Sequence, residues 1–302
     1  MQLGFVSAIL ADLGLEEVLN FAAGEGFACV ELMCWPPGAA DRRYAGVTHI
    51  DVTQLHEDRI GQIRDLVRKH GVSISGLGYY PNPLHPDAGH RKYVVDHLKR
   101  VINAARRLDV PIVNTFIGRD KDKPVQRNWP LLQEVWTDIV HHAEIENVRI
   151  GIENCPMLFS VDEWPGGANL AVSPAIWRSL FEEIPSMHLG LNYDPSHLIW
   201  QHIDYIRSIR EFGSRIYHVH AKDTRIDADS LYEHGILGLG WHTPKLPGLG
   251  DVNWGQLVSV LTDTGYHGPF CIEVEDRAFE DSLAARKRSL RQSKRFLEQF
   301  IS

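Results

Sequence analysis

The sequence predicts an α/β fold, a single-domain (β/α)8 TIM barrel, and three observations favour it. Eight short apolar runs alternate with eight amphipathic stretches of helical spacing along the 302 residues. Such alternation is typical of parallel βαβ units, and eight units fit one barrel. The rival fold, an open doubly wound sheet, usually has a glycine-rich phosphate loop after its first strand. Here the first strand-like run continues as S-A-I-L-A-D-L-G.

The strand-like runs are short and rich in aliphatic residues, and the stretches between them repeat apolar residues at helical spacing. The runs cover residues 2–6, 28–34, 72–78, 111–117, 148–153, 187–193, 216–220 and 269–274. The predicted helices cover about 15–25, 57–70, 90–108, 130–146, 174–184, 203–212, 254–264 and 281–299. Two punctuation signals agree: Gly71 is placed as a C-terminal cap, and Ser173-Pro174 begins the fifth helix.

The composition argues against several classes of protein. The chain is 44% hydrophobic and 23% charged, which suits a globular domain with a large core. Its formal net charge of −8 disfavours a nucleic acid partner. No apolar run reaches the roughly 20 residues that span a bilayer, and the four scattered cysteines fit a reducing compartment. We therefore expect a cytoplasmic protein with neither nucleic acid nor membrane as partner.

Three connections that follow strands are long, at about 35–56, 154–173 and 221–253. In a barrel all three lie on the carboxyl-terminal face, where active sites form. Loops of this length usually act as lids or binding loops. The first contains W-P-P-G at 35–38 and the second W-P-G-G at 164–167. We expect these motifs to supply an aromatic wall and a close-approach turn for a small polar ligand.

Four polar residues stand at the ends of the last four strand-like runs: Glu153, Asp194, His220 and Glu273. The ends of parallel barrel strands converge on one mouth. Three carboxylates and one imidazole there predict one divalent metal ion, with Mn²⁺ preferred and Mg²⁺, Co²⁺ or Zn²⁺ as alternatives. A single acid at a strand end is more often a helix cap or an ion-pair partner. The prediction therefore depends on all four occurring together.

Further candidates surround this set. His197 is expected to contact a substrate oxygen or support the metal site, and a histidine that merely begins a helix is the alternative. His218 shares a strand face with His220 and is expected to pack below the metal. The remaining candidates for binding substrate or orienting a ligand are Lys222, Asp223, Arg225 and Glu275, each with a solvated rim charge as its alternative.

At these residues the chain resembles the sugar phosphate isomerase/epimerase superfamily, the xylose-isomerase-like TIM barrels, which include ketose 3-epimerases and inosose-processing enzymes. The motifs that carry the resemblance are G-I-E-N at 151–154, D-P-S-H at 194–197, H-V-H-A-K-D at 218–223, L-P-G-L-G-D-V-N-W at 246–254 and I-E-V-E at 272–275. Each motif is weak alone, but their order and strand placement are specific. The resemblance extends over nearly the whole chain.

The resemblance implies that the four strand-end residues bind the metal, and that Glu153 and Glu273 also transfer protons on either face of the substrate carbon. The residues expected to bind substrate are His197, Arg225, Trp35 and Lys222. Apurinic-site endonucleases, which are distant relatives, add histidines at the ends of strands three and four. Those strands end here in Tyr79-Tyr80 and Phe116-Ile117, so we expect one metal ion and no zinc cluster.

We therefore expect a metal-dependent isomerase or epimerase of a keto-sugar, inosose or related polyol, acting through an enediolate. A second hypothesis is a lyase that cleaves a 3-keto-glycoside or dehydrates an inosose, since both reactions begin with enolisation. A third is a non-catalytic sugar-binding or subunit protein. The sequence leaves open which sugar is used, whether it carries a phosphate, and whether the chain forms a dimer or tetramer.

Overall fold

A closed barrel of eight parallel strands forms the centre of the protein. The computed structural model describes residues 1–38, 43–157, 167–236, 238 and 240–301. The barrel strands are β1 (Gln2–Val6), β2 (Cys29–Met33), β3 (Ser73–Gly78), β4 (Ile112–Thr115), β5 (Arg149–Glu153), β6 (Leu189–Tyr193), β7 (Ile216–Ala221) and β10 (Pro269–Ile272). Their spatial order is β1-β10-β7-β6-β5-β4-β3-β2, which confirms the predicted fold class.

Helices follow the barrel strands and pack around them. They are α1 (Leu15–Gly24), α2 (Glu57–His70), α3 (Ala88–Arg107), α4 (Val125–Glu146), α5 (Pro174–Glu183), α6 (Ser196–Ile199), α7 (Tyr205–Phe212), α8 (Ala228–His234), α9 (Trp254–Asp263) and α10 (Leu283–Leu297). Both predicted caps are confirmed: Gly71 ends α2 with a φ of 66°, and Pro174 follows the N-cap Ser173 of α5. Within the described residues no helix is long and apolar enough to cross a bilayer.

One predicted helix boundary is wrong. Helix α4 begins five residues before the predicted start, so that Pro130 lies inside the helix. The predicted start at about residue 130 coincides with this proline, a residue that favours the first helical position. The true start follows Pro124, whose carbonyl accepts a 2.9 Å hydrogen bond from the amide of Arg127. Pro130 lies beyond the first turn, so its missing amide removes the backbone hydrogen bond that this position would otherwise make to the carbonyl of Gln126.

Buried indoles attach the helices to the strand ends. Trp136 of α4 donates a 2.8 Å hydrogen bond to the carbonyl of Ile117, just beyond β4. Trp177 of α5 donates a bond of the same length to the carbonyl of Ala171. Both side chains are fully buried, so each combines a large apolar contact with a satisfied polar group. The helices thereby fix the backbone at the carboxyl-terminal face of the barrel.

The third long connection, predicted at about 221–253, contains regular structure of its own. Strands β8 (Asp223–Ile226) and β9 (His242–Lys245) pair antiparallel in a sheet separate from the barrel, with α8 between them. Four-residue strands separated by a helix leave little periodic signal, which explains why the sequence pattern did not indicate them. Of the W-P-G-G motif at 164–167, only Gly167 lies within the described residues.

Candidate metal and substrate site

The four predicted metal-binding residues meet at the carboxyl-terminal end of the barrel. Glu153 is the last residue of β5, Asp194 and Glu273 directly follow β6 and β10, and His220 is the penultimate residue of β7, before Ala221. One donor atom from each residue lies within 4.8 Å of those from the others. All four are buried or nearly so, as the fractional exposure of the Glu273 side chain is only 18%.

Asn154 joins the ends of β5 and β6. Its side-chain amide donates a 2.8 Å hydrogen bond to the carbonyl of Asp194, and its side-chain oxygen accepts a 2.9 Å bond from the Asp194 amide. The Asp194 carboxylate uses Oδ1 to accept from the amide of Ser196 at 2.8 Å, at the start of α6. Its Oδ2 is therefore left to face the centre of the site.

Asn169 joins the ends of β4 and β5 in the same way. It donates to the carbonyls of Glu153 at 2.9 Å and Cys155 at 2.7 Å, and it accepts from the amides of Ile117 and Gly118. Its side chain is buried, so these bonds are protected from water. The backbone around Glu153 is thus held from the side opposite Asn154.

A lysine ammonium lies among the predicted ligands. The Nζ of Lys222 is 3.0 Å from Oδ2 of Asp194 and 2.7 Å from Oε2 of Glu273. It also lies 3.0 Å from Oε2 of Glu275 and 4.0 Å from Oε1 of Glu153. Although burial opposes the charge, these carboxylates hold the pKa of Lys222 well above its usual range, with Asp194 the largest contributor. Lys222 is therefore a fixed cation at neutral pH and cannot serve there as a base.

The two glutamates proposed to move protons are ionised. Burial raises the pKa of Glu153, but the His197 and His220 rings, 3.6 and 3.8 Å from its Oε1, outweigh it and hold that pKa well below its ordinary value. Burial likewise opposes ionisation of Glu273, while Lys222 and His220 bring its pKa to about 2. Both groups are in the form that binds a cation or accepts a proton.

The donor set fits a hard divalent metal ion. Asp194 Oδ2 and His220 Nδ1 are buried and face the centre of the site, where Asp194 Oδ2 meets only the Lys222 ammonium and the His197 ring. Four carboxylates lie within 4.0 Å of the Lys222 ammonium, from Glu153, Asp194, Glu273 and Glu275. Excess negative charge around a partly apolar cavity favours an additional cation. When bound, such an ion would act as a Lewis acid on a substrate oxygen.

Glu31 is a further site residue that the sequence analysis missed. It lies on β2, is fully buried, and its Oε2 is 2.8 Å from His220 Nε2, while the hydroxyl of Tyr80 donates to its Oε1. Burial raises its pKa, but His220 outweighs this and keeps Glu31 ionised. The available signal was a lone acid inside the apolar run A-C-V-E-L-M-C.

His218 occupies the layer below the site, where it was expected. It is fully buried, and its Nδ1 lies 2.9 Å from Asn192 Oδ1 while its Nε2 lies 3.2 Å from the hydroxyl of Ser75. Burial lowers the pKa of His218 to about 4, so the ring is neutral. Its partners belong to the barrel interior, and it contributes no atom to the central donor set.

Asp223 organises a loop, and its carboxylate has no capacity left to orient a ligand. Its two oxygens accept hydrogen bonds from the amides of Thr224, Gly248 and Val252 and from the indole of Trp254. The L-P-G-L-G-D-V-N-W motif thus folds around this buried acid. A Cβ on Gly250 would lie 2.3 Å from Asp223 Oδ1, which explains the glycine.

A cavity of about 1170 Å³ opens above the central carboxylates. Its floor includes Glu153, Lys222 and Glu273, and His197 lines it beside them. Its walls include the rings of Trp35, Tyr80, Phe116, Trp200 and His242. The Trp200 and His242 rings stack with centroids 4.5 Å apart and planes 2° apart.

The expected substrate-binding residues divide into two groups. Trp35, His197 and Lys222 line the cavity, with His197 Nε2 lying 3.6 Å from Glu153 and 3.4 Å from Asp194. Arg225 is exposed and is not among the lining residues. Side chains alternate along β8, so that Thr224 faces the cavity and Arg225 points away. Its position therefore gives no support to a substrate contact.

Two curated proteins are similar to this chain in sequence. The uncharacterized protein YfiH of Bacillus subtilis (strain 168) is 27% identical over 95% of this chain and 96% of its own length. An inosose dehydratase of Geobacillus thermodenitrificans (strain NG80-2) is 32% identical over 36% of this chain and 39% of its own length.

Solved structures share the architecture. The D-psicose 3-epimerase of Clostridium cellulolyticum H10, determined with D-tagatose, is 15% identical and superposes with a TM-score of 0.72 over 100% of both chains. The IOLI protein, determined with a bound zinc atom, is 16% identical with a TM-score of 0.74 over 100% of both chains. At these identities the likeness concerns the fold alone.

The family itself follows from the sequence match. Residues 19–300 match the family described as the xylose isomerase-like TIM barrel. The matched region includes the helices and strands that position the four central residues, from β2 to α10. The curated proteins similar to this chain include inosose dehydratases. The chain belongs to the xylose isomerase-like TIM barrel family.

Proposed function

We propose that the protein is a divalent-metal-dependent isomerase or epimerase of a keto-sugar, inosose or related polyol. One observation carries the proposal: two ionised glutamates, Glu153 and Glu273, approach the same centre together with Asp194 and His220. These residues would hold the metal, with Mn²⁺ as the first candidate and Zn²⁺, Mg²⁺ or Co²⁺ as alternatives. His197 and Lys222 are proposed to hold substrate oxygens beside them.

The two glutamates have the properties that proton transfer next to a carbonyl requires. One carboxylate removes the proton from the carbon beside the carbonyl, and the other returns a proton to the opposite face or the neighbouring carbon. A carboxylate with a pKa near 2, such as Glu273, is a weak base. It can act only on a carbon acid whose oxyanion is strongly stabilised, which the metal and the Lys222 ammonium would together provide.

The cavity supports a ring-shaped polar substrate. Hydroxyl and carbonyl oxygens would face the charged floor, while the apolar faces of a sugar or cyclitol ring would lie against Trp35, Phe116 or Trp200. His242 stacks on Trp200 in the cavity wall, where burial lowers the pKa of its imidazole to about 4 and keeps the ring neutral. A neutral imidazole can both donate and accept a hydrogen bond with a substrate hydroxyl.

A lyase is the second candidate, and the similarity to inosose dehydratases favours it. Dehydration or β-elimination begins with the same loss of a proton beside a ketone. The difference lies in the next step, because a lyase then expels a hydroxyl or alkoxyl from the neighbouring carbon. An acid must protonate this leaving group, and His197 at the cavity surface is the nearest candidate.

The test combines metal analysis with solvent exchange. Protein loaded with Mn²⁺ is incubated in D₂O with a panel of ketohexoses, inososes and 3-keto-glycosides, and products are followed by NMR. An epimerised or isomerised product with one deuterium at the reacting carbon supports the first candidate, while an unsaturated product or a released aglycone supports the lyase. No exchange across the panel by metal-loaded protein would favour a sugar-binding protein without catalysis.

Matched variants connect the activity to the two glutamates. Glu153→Gln and Glu273→Gln keep the size of the side chain and should lower the turnover number by about 10²- to 10⁴-fold, the range for loss of a general acid or base. Glu25→Gln is the control, because Glu25 forms an outer ion pair with Arg291. Full activity in Glu153→Gln with its metal bound would contradict the proposed role of that glutamate.

A further inference from the structure

Glu31 lies behind His220, on the side away from the cavity. The Nε2 of His220 is 2.8 Å from Glu31 Oε2, and its Nδ1 faces Glu273 Oε2 at 3.4 Å and Glu153 Oε1 at 3.8 Å. The two nitrogens of this ring therefore face different partners. Glu31 lies on the Nε2 side of the His220 ring, and the carboxylates of the central donor set lie on its Nδ1 side.

The buried carboxylate decides which nitrogen carries a proton. A carboxylate can only accept, so a 2.8 Å contact with Nε2 requires a hydrogen on that nitrogen. As placed, the side-chain nitrogen of Asn192 lies 3.0 Å from the same Nε2 and competes with this proton; with the amide reversed, its oxygen would accept from Nε2 and its nitrogen would donate to His218 Nδ1. The charge-assisted bond to Glu31 is the stronger of the two contacts. The Nδ1 atom is then the one left to bind a metal.

The barrel is locally shaped to admit this acid. A Cβ on Gly78 would lie 2.6 Å from Glu31 Oε1, so a larger residue at this position would displace the carboxylate. The ladder between β2 and β3 shifts register between Val30 and Glu31, and the ladder between β6 and β7 shifts between Leu191 and Asn192. Such bulges re-aim side chains, and both occur beside the His220 contacts.

Tyr80 fixes the other oxygen of Glu31. Its hydroxyl donates to Oε1, and burial together with Glu31 holds the pKa of Tyr80 well above its usual range, so the donor proton is retained. Tyr80 also lines the cavity. A carboxylate held by two donors in a fully buried position has little freedom to rotate.

We propose that Glu31 is a positioning residue that holds the Nε2 proton of His220 and thereby directs the Nδ1 lone pair at the metal. This inference rests on the metal site of the proposed function. Outer carboxylates of this kind set the tautomer and orientation of histidine ligands and raise their affinity for metal. A purely structural Glu31 would contribute to folding stability and leave the metal affinity unchanged.

The test measures Mn²⁺ affinity directly, by titration followed with electron paramagnetic resonance of free Mn²⁺. Glu31→Gln keeps the shape of the side chain and removes its charge, and it should weaken binding by about 10- to 100-fold. Tyr80→Phe removes one hydroxyl from the same carboxylate and should weaken binding by a smaller factor. Ile63→Ala is the stability control, because Ile63 is a buried core residue of α2.

The outcomes separate this inference from the proposed function. Unchanged affinity in Glu31→Gln, or a loss no greater than in an equally destabilised Ile63→Ala protein, overturns the role of Glu31 alone. Failure of the wild-type protein to bind metal overturns both. In Zn²⁺-loaded protein, ¹⁵N spectra should show a protonated Nε2 at His220 that shifts in Glu31→Gln. An Nδ1 proton at His220 in that spectrum would also refute the inference.

Discussion

Replacing Asn154 by alanine should destabilise the protein and loosen Asp194. The change removes two buried hydrogen bonds, of 2.8 and 2.9 Å, between the Asn154 side chain and the backbone of Asp194. Each bond contributes about 1 kcal/mol net, and each group left unpaired in a buried position costs about 1–3 kcal/mol. Because both residues are fully buried, we expect a loss of about 2–5 kcal/mol in the free energy of unfolding.

The assay is urea unfolding followed by circular dichroism, with and without Mn²⁺. Asn20→Ala is the control, since Asn20 is exposed on α1 and should change stability by no more than about 0.5 kcal/mol. Asn154→Ala should also bind Mn²⁺ more weakly than the control protein does. If its unfolding free energy lies within about 0.5 kcal/mol of wild type at an unchanged denaturant slope, the two Asn154 hydrogen bonds contribute much less to stability than we expect.

Three further predictions follow from the site and the core. Lys222→Met should bind Mn²⁺ more tightly than wild type in the titration above, because the ammonium competes for the Asp194 and Glu273 oxygens; equal or weaker binding would refute this competition. Mn²⁺ at about 100 times its dissociation constant should raise the unfolding free energy by about 2.7 kcal/mol, and a chelator should reverse the gain, whereas a melting curve unaffected by either would refute metal binding. Burial lowers the pKa of His49, so the folded protein binds fewer protons than the unfolded chain as pH falls below 6.5, and stability should fall there. His49→Gln should show a smaller fall between about pH 8 and about pH 5.5 in urea midpoints, and parallel profiles for the two proteins would contradict the assignment.

The sequence allowed the four central residues to be predicted because each ends an apolar run. The pattern identifies strands, and the rule that strand ends share one mouth then brings Glu153, Asp194, His220 and Glu273 together. No long-range contact had to be known for this step. Lys222 was expected near the site because it follows His220 in the H-A-K-D motif at the end of the same strand.

Glu31, by contrast, lies on the second strand, where the sequence shows a single acid within an apolar run. Its partner His220 is 189 residues away, so the contact depends on barrel closure and on a register shift that no local pattern reveals. Arg225 failed for a different reason. Lys222 and Thr224 line the cavity at a spacing of two, so the same alternation places Arg225 on the opposite face. The expectation for Arg225 came from the family resemblance, and local spacing argued against it.

The β8–β9 hairpin has a consequence for how such proteins diversify. It leaves the barrel after β7, returns before α9, and belongs to a sheet of its own, yet Thr224, Thr243 and Lys245 within it line the cavity. Its base is anchored by Asp223, outside the central donor set. Insertion, deletion or exchange of the segment beyond that anchor would alter the cavity wall while leaving the barrel ladder intact. Mutations in the β8–β9 hairpin can therefore change which substrate the cavity accepts without changing the residues at the barrel ends that carry out the reaction.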